Sequence, residues 1–251
     1  MKGFISHKKI IIFIFAISVW SSTMSVLSAQ PLLEQPTIWN GKFKSGEELE
    51  YNVKVRGIPA GTQVMKIDGN LTWSGNNVYH VKSESKITRL FSLFYSFDNR
   101  SESFIDSTYL HPLYYSRKII DGGYKGRTIV DFDQKNQIAR VVKDKKYKEI
   151  EIPTGIQDEL SMIYLLRSKD IEVGQSYKFP ALIGTEIIDA KVSVLRYEKV
   201  DTDMGKIKTI VVKTTPKNIV IWLTDDAARI PVKIEADSKL GKIVFKLEHI
   251  R

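Results

Sequence analysis

The strongest pattern in this chain has a period of two. Leu49, Tyr51, Val53 and Val55 alternate with Glu48, Glu50, Asn52 and Lys54, as they must in a strand with one face buried and the other wet. The alternation returns at Tyr79 and Val81 against His80, Lys82 and Glu84, then at Ile230, Val232, Ile234 and Ala236, and again at Ile243, Phe245 and Leu247. Clusters of Gly, Pro, Asn, Asp and Ser separate these runs at 57–61, 74–77, 121–123, 133–136, 203–205 and 238–241. Where they crowd closest the spacing is that of hairpins, and extended over the chain it predicts about a dozen antiparallel strands.

One segment breaks this rhythm. Leu160, Ile163, Tyr164 and Arg167 recur at helical spacing, and the reading predicts a helix over about 156–168. Thr154 and Gln157 fit a capping box, and Asp158 and Glu159 would sit at the positive end of the helix dipole. A shorter helical turn is predicted at 90–95. Large open sheets curl, because exposed edges invite aggregation. The expected fold is therefore mainly β: a large curled antiparallel sheet or open β-barrel with one main helix over a mouth or face. No linker or composition shift divides residues 44–251, which are expected to form a single β-rich domain after a leader at 30–43 and a signal peptide at 1–29.

That last expectation rests on order. Lys2, Lys8 and Lys9 precede an apolar run at 10–20, and a stretch of small and polar residues follows it to Ala29. This is the layout of a secretory signal peptide. The run has eleven residues, short of the roughly 20 that span a bilayer as a helix, so a multi-pass membrane protein is excluded and no span is expected in the mature chain.

Composition narrows the chemistry. The 251 residues are 43% hydrophobic, 27% charged and 10% aromatic, as in a globular protein. With no cysteine, disulfides, thiolate nucleophiles, cysteine-bound metals and a cysteine-anchored lipid all fall away. A soluble exported protein, not a lipoprotein, is expected. The formal charge is +9, of which Lys2, Lys8 and Lys9 carry three. The remaining basic bias favours anionic envelope surfaces and is too diffuse to argue for nucleic acid.

Catalytic motifs are lacking. The sequence holds no Gly-x-Ser-x-Gly elbow, no His-Glu-x-x-His, no phosphate-cradling loop and no dinucleotide fingerprint. His80, His111 and His249 lack ligand-type spacing; each is expected to pack or hydrogen-bond on a sheet face, and no cofactor or metal is expected. Asp225 and Asp226 adjoin, with Arg229 in reach. Glycosidase chemistry needs two carboxyls held apart across a substrate with one pKa raised, so this pair is expected to form a turn pinned by Asp–Arg bonds. The run 90–106 holds Phe91, Phe94, Tyr95 and Phe97 within seven residues, more rings than one strand face buries. Either Phe91 and Phe94 plug the interior with Tyr95 and Phe97 beside them, or some rings lie at a mouth. Asp98, Arg100 and Glu102 alternate and should share one face.

Four blocks carry a family resemblance: 57–61, read Gly-Ile-Pro-Ala-Gly; Ser92-Leu-Phe-Tyr with Asp98-x-Arg100-x-Glu102-Ser103; Gly155-x-Gln157-Asp158-x-Leu160-Ser161 with Tyr164 and Leu166-Arg167; and Ile221-Trp222-Leu223-Thr224-Asp225-Asp226 with Arg229-Ile230-Pro231-Val232. In order and spacing over about 44–250 the chain resembles the bacterial exported family known as domain of unknown function 3108. The resemblance implies a cell-envelope, mainly Gram-negative setting and a β-rich body, and brings no catalytic residue.

Two classes of function remain. The first is a non-catalytic binding protein holding an amphipathic envelope component, a lipid, lipoprotein or acyl chain, in the curled sheet, with Phe91, Phe94, Tyr95, Phe97, Arg100 and Trp222 as ligand-binding candidates. A variant binds peptidoglycan or an exported polysaccharide, with Trp222, Tyr114 and Tyr115 as stacking platforms. The second is a glycan-acting enzyme resting on Asp98, Glu102, Asp225 or Asp226. An apolar interior wider than one side-chain layer would favour lipid; a wet groove lined by aromatic and acidic residues would favour glycan.

Overall fold

A computed structural model describes residues 43–93, 95–238 and 240–251. The signal peptide and most of the leader expected from sequence lie outside the described residues, as does Phe94. Fourteen strands run β1 Glu48–Val55, β2 Ile58–Trp73, β3 Asn76–Ile87, β4 Phe97–Asp106, β5 Pro112–Asp121, β6 Tyr124–Asp133, β7 Ile138–Lys143, β8 Lys146–Glu151, β9 Ser176–Ile183, β10 Glu186–Thr202, β11 Gly205–Thr215, β12 Val220–Thr224, β13 Pro231–Ser238 and β14 Gly241–Ile250. Among the described residues two helices interrupt them, α1 Arg89–Ser92 and α2 Ser161–Ser168.

All fourteen strands form one antiparallel sheet, ordered β8-β7-β6-β5-β4-β3-β2-β1-β14-β13-β12-β11-β10-β9. Every neighbour is a chain neighbour except β1 and β14, whose pairing, Val53 opposite Phe245, joins the first and last of these strands at the middle of the sheet. The sheet is not closed; β8 and β9 are its edges. This is the curled, mainly β architecture expected, with two more strands than the turn spacing predicted.

The period-two runs do what alternation requires. Leu49, Tyr51, Tyr79, Val81, Ile243, Phe245 and Leu247 are buried on the inner face, while Glu50, Lys82 and Lys246 are not. The turn expected at 57–61 is shorter and falls at 56–57, because residues 58–61 already pair in β2. Arg56 and Gly57 both have positive φ, the requirement of a two-residue hairpin whose twist matches its strands. At Gly61 a Cβ would stand 2.1 Å from the Lys86 carbonyl of β3, so only glycine allows the β2–β3 pairing there.

Between the two edges the chain crosses the inner face. The Ile152 amide donates to Gln137 beside β7, and five residues later Gln157 donates to Pro180 and accepts from Leu182 in β9. The edges most exposed to unwanted pairing are thus spanned by one short strap. That strap explains why α2 begins later than its periodicity predicts. Gln157 is held in a parallel bridge to Ala181, so residues 156–158 are extended, and Thr154 accepts from the Gln137 side chain instead of capping. Asp158 takes over, its Oδ1 accepting from the amides of Leu160 and Ser161 at 2.7 Å each.

α2 then fills the hollow of the sheet. Leu160, Ile163 and Tyr164 join the larger apolar cluster with Tyr51, Ile67, Val81, Ile105 and Phe245. Leu166 joins a second cluster with Val192, Ile210, Ile221 and Leu223, so one helix seals both halves. Phe43, at the end of the expected leader, is 5% exposed and meets the Tyr164 ring edge-on at 4.9 Å.

Candidate functional site

The inner face is closed by polar clamps. Ser103 of β4 donates to Asp158 at 2.6 Å, Tyr115 of β5 donates to Glu159 at 2.9 Å, and Arg117 bonds both Glu159 oxygens and Asn99. Burial pushes the Asp158 carboxyl up to about 6 against the hydrogen bonds it accepts, and raises Glu159 against the attraction of Arg117. Two narrow gaps remain beside α2. One of about 40 Å³ lies between Gln63, Asn99, Ile163 and Phe245; one of about 30 Å³ lies between Leu166, Phe179, Val192 and Ile219. Each has room for a water or two, far below the volume of a ligand pocket.

The outer face of β3 to β7 is different. Strand register stacks its side chains in rows: Phe104 opposite Tyr114, Tyr114 opposite Asp131, and Asp131 opposite Arg140. Trp73, at the end of β2, lies with its ring centroid 4.5 Å from that of Phe104 and 5.5 Å from that of Tyr114. His80 meets Phe104 edge-on at 4.6 Å. The rings therefore hold one another, yet Trp73 stays 37% exposed.

Beside Trp73 opens a cleft of about 650 Å³, within the usual range of ligand sites. The loop after β4, with Thr154 and Gly155 of the strap, also lines it. There Asp106 accepts from the amides of Thr108 and Tyr109 at 2.8 Å, an Asx turn that presents Tyr109. The Tyr109 ring is 45% exposed and stacks on His111 at 5.5 Å. Asp131, Asp133, Lys135 and Arg140 complete the rim. Asn136 bonds both Asp133 oxygens, lowering that carboxyl; Arg140 stands 3.7 Å from Asp133 and 3.6 Å from Glu149. Exposed rings beside fixed polar groups give a surface that stacks on one side of a ligand and hydrogen-bonds its edges.

Of the residues singled out from sequence, those that are described do not converge on one site. Phe91 is half-buried in α1, whose N-terminus Thr88 caps. The Tyr95 hydroxyl donates to Asp121, and Phe97 opens β4 opposite that same Asp121. Arg100 is exposed on the outer face and bonds Asp98. Trp222 lies in β12, in the other half of the sheet, buried beneath Lys233 at 4.2 Å. Of the stacking candidates, Tyr114 joins the outer aromatic cluster and Tyr115 points inward to Glu159.

The four carboxylates considered for chemistry have structural partners. Glu102 bonds His80 and Ser116, Asp98 bonds Arg100, and Asp225 pairs with Arg229 at 3.3 Å. Asp226 accepts from Thr224, Ala228 and Arg229, forming the expected turn. Among the described residues no group of three or more histidines and carboxylates is placed to hold a metal. Sequence reasoning missed Trp73, Tyr109, His111 and Arg140. The usable signal was Asp106-x-Thr108-Tyr109, an Asx-turn spacing beside exposed aromatics.

Comparison with known proteins agrees with the fold. The family model DUF3108, described as protein of unknown function, matches residues 50–248. No curated protein matches. Among solved structures the chain is similar to a β-barrel-like protein of domain of unknown function DUF1849 from Brucella abortus, at 12% identity and TM-score 0.55, over 82% of this chain and 97% of that one. A Bacteroides fragilis protein with a YmcC-like fold also matches, at 12% identity and TM-score 0.33, over 83% and 96%.

Proposed function

This chain belongs to the DUF3108 family, and we propose that it is a non-catalytic envelope protein that binds a glycan, peptidoglycan or an exported polysaccharide, in the outer cleft between Trp73 and Tyr109. Export through residues 1–29 to the periplasm, as a soluble protein and not a lipoprotein, is part of this reading. Among the described residues no helix is long and apolar enough to cross a membrane.

The observation that carries the reading is the cleft itself: about 650 Å³, open, with two exposed rings facing polar groups already fixed by neighbours. Rings supply flat apolar area with few rotamers to freeze, and a sugar offers one apolar face and a polar edge. The carboxylates nearby act as turn formers and ion-pair partners, which suits recognition better than proton transfer.

A lipid or acyl chain in the sheet interior is the second reading. It is favoured by the two gaps beside α2, which share Ile163 and Ile219 as a common wall. Shielding an acyl chain there would require α2 to lift off its clamps. The glycan reading needs no such movement.

Co-sedimentation with purified peptidoglycan sacculi, and retention on a soluble envelope polysaccharide, test the reading. Trp73→Ala should weaken binding by roughly 1–3 kcal/mol, as loss of one ring contact, while Tyr197→Ala, an exposed tyrosine in β10, should leave it unchanged. Equal binding by wild type and folded Trp73→Ala on both probes would overturn it.

A further inference from the structure

The cleft lies at one end of β3 to β7, and a groove of about 1100 Å³ runs along the outer face of these strands. Its charges are unevenly spoken for. Arg100 lies directly opposite Lys118, and Lys118 directly opposite Arg127, so three cations stand in one row across β4, β5 and β6. Like charges opposed on one sheet face are unfavourable unless something neutralises them. Arg100 has Asp98. Among the described residues the side chains of Lys118, Lys125, Arg127 and Lys145 have no ion-pair partner, although all four line the groove.

The carboxylates of the groove are occupied. Glu84 pairs with Lys86, Glu102 bonds His80 and Ser116, and Asp144 accepts from the Arg127 amide and the Tyr124 hydroxyl. What the groove offers a ligand is thus cationic. A row of cations in a concave surface focuses its field on anions.

Register ties the groove to the cleft. Tyr114 and Lys118 point to the same side of β5, four residues apart, which is about 13 Å along a strand. Asp131, Ile129 and Arg127 run parallel to them on β6. A polymer stacked on Trp73 and extended along these strands would reach the cation row.

We infer that the ligand is an acidic glycan, whose carboxylate or phosphate substituents are taken by Lys118 and Arg127 while its sugar rings occupy the cleft. This rests on the glycan reading above and deepens it from glycan to anionic glycan. An open face that leaves its occupant half in water suits a charged polysaccharide better than an acyl chain, which needs most of its surface covered.

The test uses one backbone in three forms: neutral dextran, carboxymethyl dextran and dextran phosphate, with the full-length protein. Wild type should be retained on both acidic forms and not on the neutral one; the stronger of the two names the substituent. Lys118→Glu/Arg127→Glu, both exposed, should weaken retention at least about tenfold, since two charge-assisted contacts become repulsive. Lys199→Glu/Lys208→Glu is the control. These lysines also oppose each other on a sheet face, in β10 and β11, and lie outside the groove, so they carry the same charge change and should have little effect.

Equal losses in the two variants, retention on neutral dextran equal to that on the acidic forms, or no retention on any dextran would overturn the inference. The sacculus experiment with Trp73→Ala would still judge the glycan reading separately. Tighter binding to phosphatidylglycerol vesicles than to either acidic dextran, lost in Lys118→Glu/Arg127→Glu, would overturn it in favour of a membrane surface.

Discussion

Arg167 and Glu47, 120 residues apart, form a two-pronged ion pair in the interior, with Nη1 2.6 Å from Oε1 and Nη2 2.8 Å from Oε2. The arginine side chain is fully buried. Its Nε donates to the Ala228 carbonyl, and its guanidinium lies over the rings of Phe43 and Tyr164. One residue of α2 thus fastens the approach to β1, the turn before β13 and the segment ahead of the sheet. Planar geometry, five donors and a weakly hydrated charge suit arginine to this task, and lysine could not replace it.

Breaking that pair on one side should be far worse than removing both partners. Arg167→Met leaves Glu47 without its cation and should cost about 3–5 kcal/mol in urea denaturation, while adding Glu47→Leu should recover a large part of the loss. A loss below about 1 kcal/mol for Arg167→Met would show that the pair does not hold the helix.

The apolar side of α2 gives a second expectation. Leu160 is buried in the larger cluster, so Leu160→Ala should cost roughly 2–5 kcal/mol. Lys169, just past the helix, should tolerate alanine within about 0.5 kcal/mol. Similar small effects from both would mean that α2 is not docked on the sheet.

Asp158 predicts a pH dependence. Burial raises its folded pKa to about 6 from 3.8, so the stability it contributes is fully present below the unfolded value and is lost as pH rises through about 6. Denaturation midpoints should therefore fall between about pH 4 and pH 6.5 by more in wild type than in Asp158→Asn, which cannot ionise. Parallel curves for the two proteins would refute this.

Asp226 should matter for folding and not for binding. It accepts three hydrogen bonds in the turn between β12 and β13, so Asp226→Ala should lower stability by about 0.5–2 kcal/mol. Retention on sacculi at a temperature where the variant is folded should equal that of wild type. Loss of retention in folded Asp226→Ala would point to chemistry at this turn.

Much of this molecule was legible in its residue order. Leu49 to Val55 and Ile243 to Leu247 announced strands because alternation is a local property, and the glycines and proline of 57–61 announced a turn there, although only Gly57 of that run lies in it, beside Arg56. Leu160, Ile163, Tyr164 and Arg167 announced α2. Its start was misjudged because Gln157 answers to Pro180 and Leu182 of β9, partners that no local pattern reveals. The candidate site was harder. Phe91 to Phe97 drew attention as a dense aromatic run, yet Tyr95 and Phe97 meet Asp121 at one end of β4 and β5, away from the open cleft.

By itself, then, the sequence determined the period of each element, the turns between them, the absence of thiol chemistry and the family, because each depends on residues close together in the chain or on composition. Tertiary structure alone decided that β1 pairs with β14, that a strap and a buried Arg167–Glu47 pair seal the inner face, and that Arg100, Lys118 and Arg127 stand in one row. Those facts depend on strand register and on contacts between distant segments. A shift of one residue in the pairing of β4, β5 or β6 would have turned that strand's member of the cation row to the opposite face.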